Sequence, residues 1–300
     1  GGFHRYSTDE NWHLPHFEKM LMDNAQMIEL YSLAFAQQPM PLYERIVSET
    51  ITHLTSHWML ENGGYLSTID ADSSGGEGHY YVMTFNELKS VANSNEIDLW
   101  ANYFQLTASG NMLDEATQEP TGFNIFHPTS AEPTFNLAEF KSRIQQFRQD
   151  HRDTPQKDLA FKLAPNAWLC KALYVAANVF NQAKWRMLAD DLMVKIMAYI
   201  NANERRVYLD DVVYTLSAAI SGAIEFKHMT YLWKILMDQF YDHIHGGLWY
   251  SQLDHQTPMS RIKDIYDRAE PSPNGIFIDV ALHLYQQTNQ VHYYDKALDV

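Results

Sequence analysis

The chain has 300 residues, with 22 Lys and Arg against 37 Asp and Glu, a formal charge of −15. Hydrophobic residues make up 46%, too many for a disordered acidic tail, and the acidic excess argues against a nucleic-acid partner, whose phosphates need a surplus of cations. Mean hydropathy is −0.37, and no apolar run nears the roughly 18 residues that span a bilayer, so no membrane domain is expected.

Helical periodicity dominates the chain. From Phe17, apolar residues at Met20, Leu21, Ile28, Tyr31 and Phe35 line one helix face, with Pro15 just ahead of the run. Pro39 and Pro41 separate this helix from a second, about Leu42 to Leu60. Further helices are predicted at Phe85–Val91, Glu96–Leu106, Leu137–Gln149, Asn166–Phe180, Gln182–Ile200, Leu209–Phe226, Thr230–Ile244, Asn274–Gln287 and from Tyr293 to Val300. Thr84 with Glu87, and Asn136 with Glu139, fit the capping-box pattern. Strand signals are short: Tyr65–Ile69 and His79–Met83, a hairpin across a Gly-rich loop, and Leu248–Leu253. No βαβ alternation and no phosphate-binding glycine motif after a strand occurs, which disfavours a nucleotide-binding α/β fold.

Three short stretches resemble one another: Gly1-Gly2-Phe3 to Asp9, Gly63-Gly64-Tyr65 to Asp70, and Gly246-Gly247-Leu248 to Asp254. Each has two glycines, an apolar residue, a hydroxyl and then an acid. Gly-Gly supplies the positive φ that ends a helix and turns the chain. Repeated helix-to-Gly-Gly turns predict stacked helical hairpins, either a closed α/α toroid or an open solenoid.

Several constellations suit chemistry. His4, Arg5 and Tyr6, then His16 and Glu18, gather polar groups at the start of an apolar helix. They suit a polar pocket with His16 or Glu18 transferring protons, and equally suit capping and surface ion pairs. Asp70 and Asp72, in a loop running to Glu77, lack the ligand spacing of an EF-hand; they suit sugar binding, acid–base work or a solvated turn. Asp210 and Asp211 open a helix, where capping alone favours acids. His53 and His57 have zinc-ligand spacing without a third ligand, so neither metal nor cofactor is expected. Cys170 sits among apolar neighbours, reads as an inert thiol, and as a lone cysteine leans towards a reducing, cytoplasmic setting.

The block Gly1-Gly-Phe-His-Arg-Tyr-Ser-Thr-Asp9, with Trp12, Pro15-His-Phe-Glu-Lys-Met-Leu21 and Asp23-Asn-Ala-Gln26, resembles one family. Asp70-Ala-Asp-Ser73, Tyr80-Tyr-Val82, Tyr208-Leu-Asp-Asp211, and Asp264 with Pro271-Ser272 and Asn274 continue the likeness in order. The family is the thioredoxin-domain-containing proteins of the YyaL type with their spermatogenesis-associated animal relatives. The resemblance implies an all-α fold, an (α/α)6 toroid like six-hairpin glycosidases and N-acylglucosamine 2-epimerases, with short β-hairpins at its mouth. It also implies that residues 1–300 form one incomplete toroid domain cut at both ends. An N-terminal thioredoxin-like domain, partner to the toroid in the full protein, and a C-terminal segment would lie outside this chain. Within it, Pro165 stands where the family has Trp, Ala167 where it has Gly, and Pro273 replaces another Gly; one aromatic platform at a sugar site would be lost.

The toroid is thus expected to bind or act on a small carbohydrate by acid–base chemistry. His16, Glu18, Asp70 and Asp210 are the expected proton-transfer groups. His4, Arg5, Tyr6, Asp72, Asp211, Asn166, Asp264 and Asn274 are the expected substrate contacts. The alternative is a non-catalytic binding module serving the thioredoxin-like domain.

Overall fold

A computed structural model describes residues 1–114, 116–203, 206–252 and 260–300. The chain divides into two compact units: Gly1–Phe3 with Leu21–Ser67 and Leu159–Val300, and His4–Met20 with Thr68–Asp158.

Among the described residues, the first unit contains four helical hairpins. They pair α1 (Leu21–Gln37) with α2 (Pro41–His57), α6 (Leu163–Phe180) with α7 (Ala183–Asn203), α8 (Leu209–Ser221) with α9 (Phe226–Ile235), and α10 (Pro273–Thr288) with α11 (Val291–Leu298). Helix α1 packs on α6, α6 on α8, and α8 on α10, so the first helix of each hairpin forms an inner row with its partner outside. Burial follows that order. On α6, Leu163, Ala167, Leu169, Cys170, Leu173 and Tyr174 are all buried, leaving little polar face. Outer α7 exposes Met187 and Val194 while burying Leu192, Met193 and Ile196.

The Gly-Gly repeat has a structural counterpart. Phe3 N–H donates to Asn24 Oδ1 at 2.7 Å, and Asn24 Nδ2 returns a bond to Phe3 O at 3.2 Å. Tyr65 and Asn166 make the same exchange at 2.9 and 3.0 Å, as do Leu248 and Asn274 at 2.8 and 3.1 Å. In each case the residue after Gly-Gly is tied to a buried Asn in the first turn of an inner helix. The glycines set this up: Gly2, Gly63, Gly246 and Gly247 all have φ between 71° and 80°. The repeat's last acid, Asp254, lies outside the described residues.

The helices match the periodicity, with shifted ends. Helix α6 starts at Leu163, ahead of the expected Asn166, because Pro165 sits in the first turn, where its missing N–H costs nothing. The helix expected from Leu209 to Phe226 stops at Ser221, where Gly222 caps it and Ala223 turns at φ 48°. The segment expected as Thr230–Ile244 is α9 followed by a π-helical turn, Leu236–Phe240.

In the second unit, β1 (Lys19–Met20) and β7 (Lys157–Asp158) flank β2 (Thr68–Ile69) in an antiparallel sheet. A tight hairpin joins β3 (Asp72–Ser73) to β4 (Gly76–Glu77), and β5 (Met83–Thr84) pairs with β6 (Phe123–Asn124). The expected hairpin of Tyr65–Ile69 with His79–Met83 is therefore not formed; Thr68–Ile69 and Met83–Thr84 each find other partners. Of the expected strand Leu248–Leu253, Leu248 makes an isolated bridge to Tyr241, and Leu253 lies outside the described residues. Helices α3 (Phe85–Val91), α4 (Ile97–Phe104) and α5 (Leu137–His151) cover a core of Met83, Leu88, Trp100, Phe104, Phe140 and Ile144. Thr84 and Glu87 form the full capping box, whereas Asn136 caps α5 alone and Glu139 pairs with Arg143. Gly78 is required here: its φ is 71°, and a Cβ would meet the Phe17 ring at 2.3 Å.

Candidate functional site

Two adjacent acids open α8 in the first unit. Asp211 Oδ2 accepts from Tyr208 N–H at 2.9 Å, closing the helix start, and Asp211 N–H donates to Asp210 Oδ1 at 3.0 Å. The second Asp210 oxygen accepts from the Tyr250 hydroxyl at 3.2 Å. Tyr250 is itself fixed on both sides: its carbonyl accepts from Leu209 N–H at 3.0 Å and its N–H donates to Ile262 O at 2.8 Å. Its ring stacks on Tyr208, with centroids 5.3 Å apart.

Asp210 and Tyr250 border a cavity of about 220 Å³, lined also by Tyr214, Asp264, Tyr266 and Glu270 among others. The loop behind it is held by α10. Ser272 Oγ and Asn274 Nδ2 both donate to Asp264 O at 2.9 Å, and the Tyr214 hydroxyl donates to Pro271 O at 2.6 Å. Burial pushes the Asp210 carboxyl above the ordinary range against the pull of Asp211 N–H and Tyr250, with the Glu270 charge adding to the rise. Burial and then the Asp210 charge push Asp211 upward as well, against the backbone N–H groups of Tyr208 and Ala164. Two half-buried carboxyls held side by side retain a proton that free aspartates have lost.

A different cluster forms in the second unit. His16 Nδ1 lies 2.7 Å from Glu77 Oε1, and its Nε2 lies 3.6 Å from Glu18 Oε2. Arg5 Nη1 holds Glu18 at 3.0 Å, and Tyr6 stacks on the His16 ring with centroids 4.8 Å apart. An imidazole gripped by one carboxylate has its tautomer and orientation fixed, which proton transfer needs. His4 takes no part. Its Nδ1 meets Phe17 O at 2.9 Å and its ring packs edge-on against Phe17 and Tyr81. Burial, then the nearby Lys19 charge, lower its pKa to about 3.

The expected site residues thus separate. His16, Glu18, Arg5 and Tyr6 meet in the second unit. Asp70 and Asp72 lie exposed in that unit; Asp70 accepts from Asp72 N–H at 3.2 Å, and Asp72 faces Glu77 across the β3–β4 ladder. Asp210, Asp211 and Asp264 meet in the first unit. Asn166 and Asn274, expected to touch substrate, are 0% and 2% exposed, with their amides bonded to backbone. They are latches; Asn274 positions the Asp264 loop without lining the cavity. Sequence reasoning missed Tyr250, Glu270 and Glu77 as site residues. The signal for Tyr250 was its place in the third Gly-Gly unit, and Glu77 closed the acidic loop.

His53 accepts from Trp58 Nε1 at 3.2 Å and neighbours His57. Among the described residues, no three His, Cys, Asp or Glu side chains are grouped to hold a metal ion, and no helix is long and apolar enough to cross a membrane.

The fold is that of the α/α toroids, built from helical hairpins with short β-hairpins between them. A sugar epimerase from a ruminal bacterium superposes with a TM-score of 0.55 at 10% identity, over 100% of this chain and 64% of its own. The chain resembles proteins named spermatogenesis-associated protein 20 along nearly its whole length. The human protein of that name is 25% identical over 358 positions, which take in 99% of this chain and 45% of that protein. The mouse protein is 35% identical over 136 positions, 40% of this chain and 17% of its own. The chain therefore spans less than half the length of the curated relatives it matches. No family profile matches it.

Proposed function

We propose that the first unit binds a small carbohydrate and acts on it by acid–base proton transfer, of the epimerase, isomerase or glycosidase kind. The observation that carries this reading is the Asp210 carboxyl, held by Tyr250 beside Asp211 in a cavity that other acids and tyrosines line. Carboxylates accept from sugar hydroxyls, tyrosine faces cover sugar C–H groups, and an aspartic acid with a raised pKa donates a proton near neutrality. The likeness in fold to a sugar epimerase supports the ligand class by analogy alone. Asp210 is the acid in this account, Asp264 is a carboxylate in the same cavity, and Tyr250 is the positioning residue. His16, steadied by Glu77, is the proton-transfer candidate of the second unit.

The test is proton NMR of a sugar panel with the wild-type chain and Asp210→Asn. Turnover or C2 proton exchange in the wild type, reduced at least about 100-fold by Asp210→Asn, is expected for a lost acid–base group. Equal activity in the variant removes Asp210 from the mechanism. The second reading is a binding module that presents clients to a thioredoxin-like domain elsewhere in the full protein. Pro165 favours it, because the first turn of α6 carries a proline where the family offers an aromatic ring. Sugar binding without turnover by either form is the outcome it predicts.

A further inference from the structure

The cavity beside Asp210 has an uneven charge lining. Three carboxyl groups border it, from Asp210, Asp264 and Glu270, and three tyrosines, Tyr214, Tyr250 and Tyr266. Among the described residues the cation that lines it is Arg268. Its side chain is 72% exposed and stands 3.6 Å from Asp264, so solvent screens most of its charge. The neighbouring cations are committed elsewhere. Arg261 donates to the carbonyls of Ser251 and Gln239 and lies over Trp249, and Lys263 is held by Asp242 and the Gly246 carbonyl.

The polar lining is thus rich in acceptors. The Tyr214 and Tyr250 hydroxyls already donate, to Pro271 O and to Asp210. A phosphate or carboxylate entering here meets the part-buried Asp210 and Asp264, and the two exposed, screened charges of Glu270 and Arg268 oppose each other. An ammonium has three N–H donors and no acceptor, so it matches carboxylates, and the negative faces of tyrosine rings attract it as well.

We propose that the ligand of this cavity carries a protonated amine: it is an amine-bearing sugar, and phosphorylated and carboxylated sugars are excluded. This rests on the carbohydrate reading above and sharpens it to a charge class. Asp264 takes the ammonium, with the exposed Glu270 adding a weaker, screened attraction, while Asp210 faces the hydroxyl-bearing part of the ring.

The experiment is isothermal titration of the full chain with glucose, 2-amino-2-deoxyglucose, glucose 6-phosphate, glucuronate and ethylammonium, repeated on Asp210→Asn, Glu270→Gln and Asp264→Asn. Glu270 is exposed, so its variant tests charge without threatening the fold. The amino sugar is expected to bind about tenfold tighter than glucose or better, equivalent to one strong charge-assisted contact. Each variant should shrink that advantage, and the two anionic sugars should bind more weakly than glucose. Glucose binding that Asp210→Asn abolishes, with no gain from the amine, overturns this inference and leaves the carbohydrate reading standing. Ethylammonium binding that Glu270→Gln weakens, with no sugar bound, overturns the carbohydrate reading and keeps the ammonium site. Tighter binding of either anionic sugar overturns the inference, and binding of none of the five overturns both.

Discussion

Asn166 and Tyr65 exchange two hydrogen bonds across 101 residues of sequence, Tyr65 N–H to Oδ1 at 2.9 Å and Nδ2 to Tyr65 O at 3.0 Å. The side chain is fully buried, so it satisfies backbone groups that no water reaches. Asn166→Ala leaves both unpaired. Each buried orphan costs about 1–3 kcal/mol, so equilibrium urea unfolding should show a loss of about 2–4 kcal/mol. Asn166→Asp turns a buried carboxylate oxygen towards the Tyr65 and Lys162 carbonyls, and should cost at least as much at pH 7. A loss under about 0.5 kcal/mol for the alanine variant would mean that the pairing adds nothing.

His4 makes the folded state acid-sensitive. Burial holds its pKa at about 3, well below the 6.5 of an exposed histidine. Between those values the unfolded chain binds a proton that the folded chain does not, so stability falls as pH falls from about 6.5 towards 3. His4→Gln should flatten that slope in thermal melts taken across the window. An unchanged slope would show that His4 titrates normally in the folded protein.

Asp211 carries the opposite sign. Its raised pKa means that the folded state holds a proton longer than the unfolded chain. Stability from this group is fully present below the ordinary aspartate range and declines as pH rises through the folded value. Asp211→Asn keeps an acceptor for Tyr208 N–H and removes the charge beside Asp210. It should stabilise the protein at pH 8 by on the order of 1 kcal/mol, seen as a higher melting temperature, and leave stability at pH 4 unchanged. A lower melting temperature at pH 8 would show that the carboxylate is neutralised by something the present geometry does not contain.

Cys170 is 0% exposed, its thiol donates to Ala189 O at 3.3 Å, and burial raises its pKa well above the ordinary thiol value. It should react with a thiol reagent only through unfolding. Labelling should therefore be slower than that of a free thiol by the global unfolding constant, and rapid labelling of the native chain would contradict the burial.

Much of the fold was legible because helices announce themselves through local spacing. The Gly-Gly units marked where inner helices are tied down, and the pairs Phe3–Asn24 and Leu248–Asn274 lie close enough in sequence to be sought together. The Tyr65–Asn166 pair was not legible, since the second unit is threaded between its two halves. Strands two residues long carry no period, so the partners of Thr68–Ile69 and Met83–Thr84 were misassigned. The acids at Asp210 and Asp211 read as caps, and Asp211 is one. What local pattern did not supply was Tyr250, which arrives from 40 residues away to grip Asp210.

The central claim is that the cavity beside Asp210 is where a sugar binds. Saturation-transfer-difference NMR on the wild type, Tyr250→Phe and Asp210→Asn tests it most directly. Transfer to sugar ring protons is expected in the wild type, weaker transfer in Tyr250→Phe, and near loss in Asp210→Asn with the fold intact by circular dichroism. Equal transfer in all three would contradict it and place the sugar elsewhere.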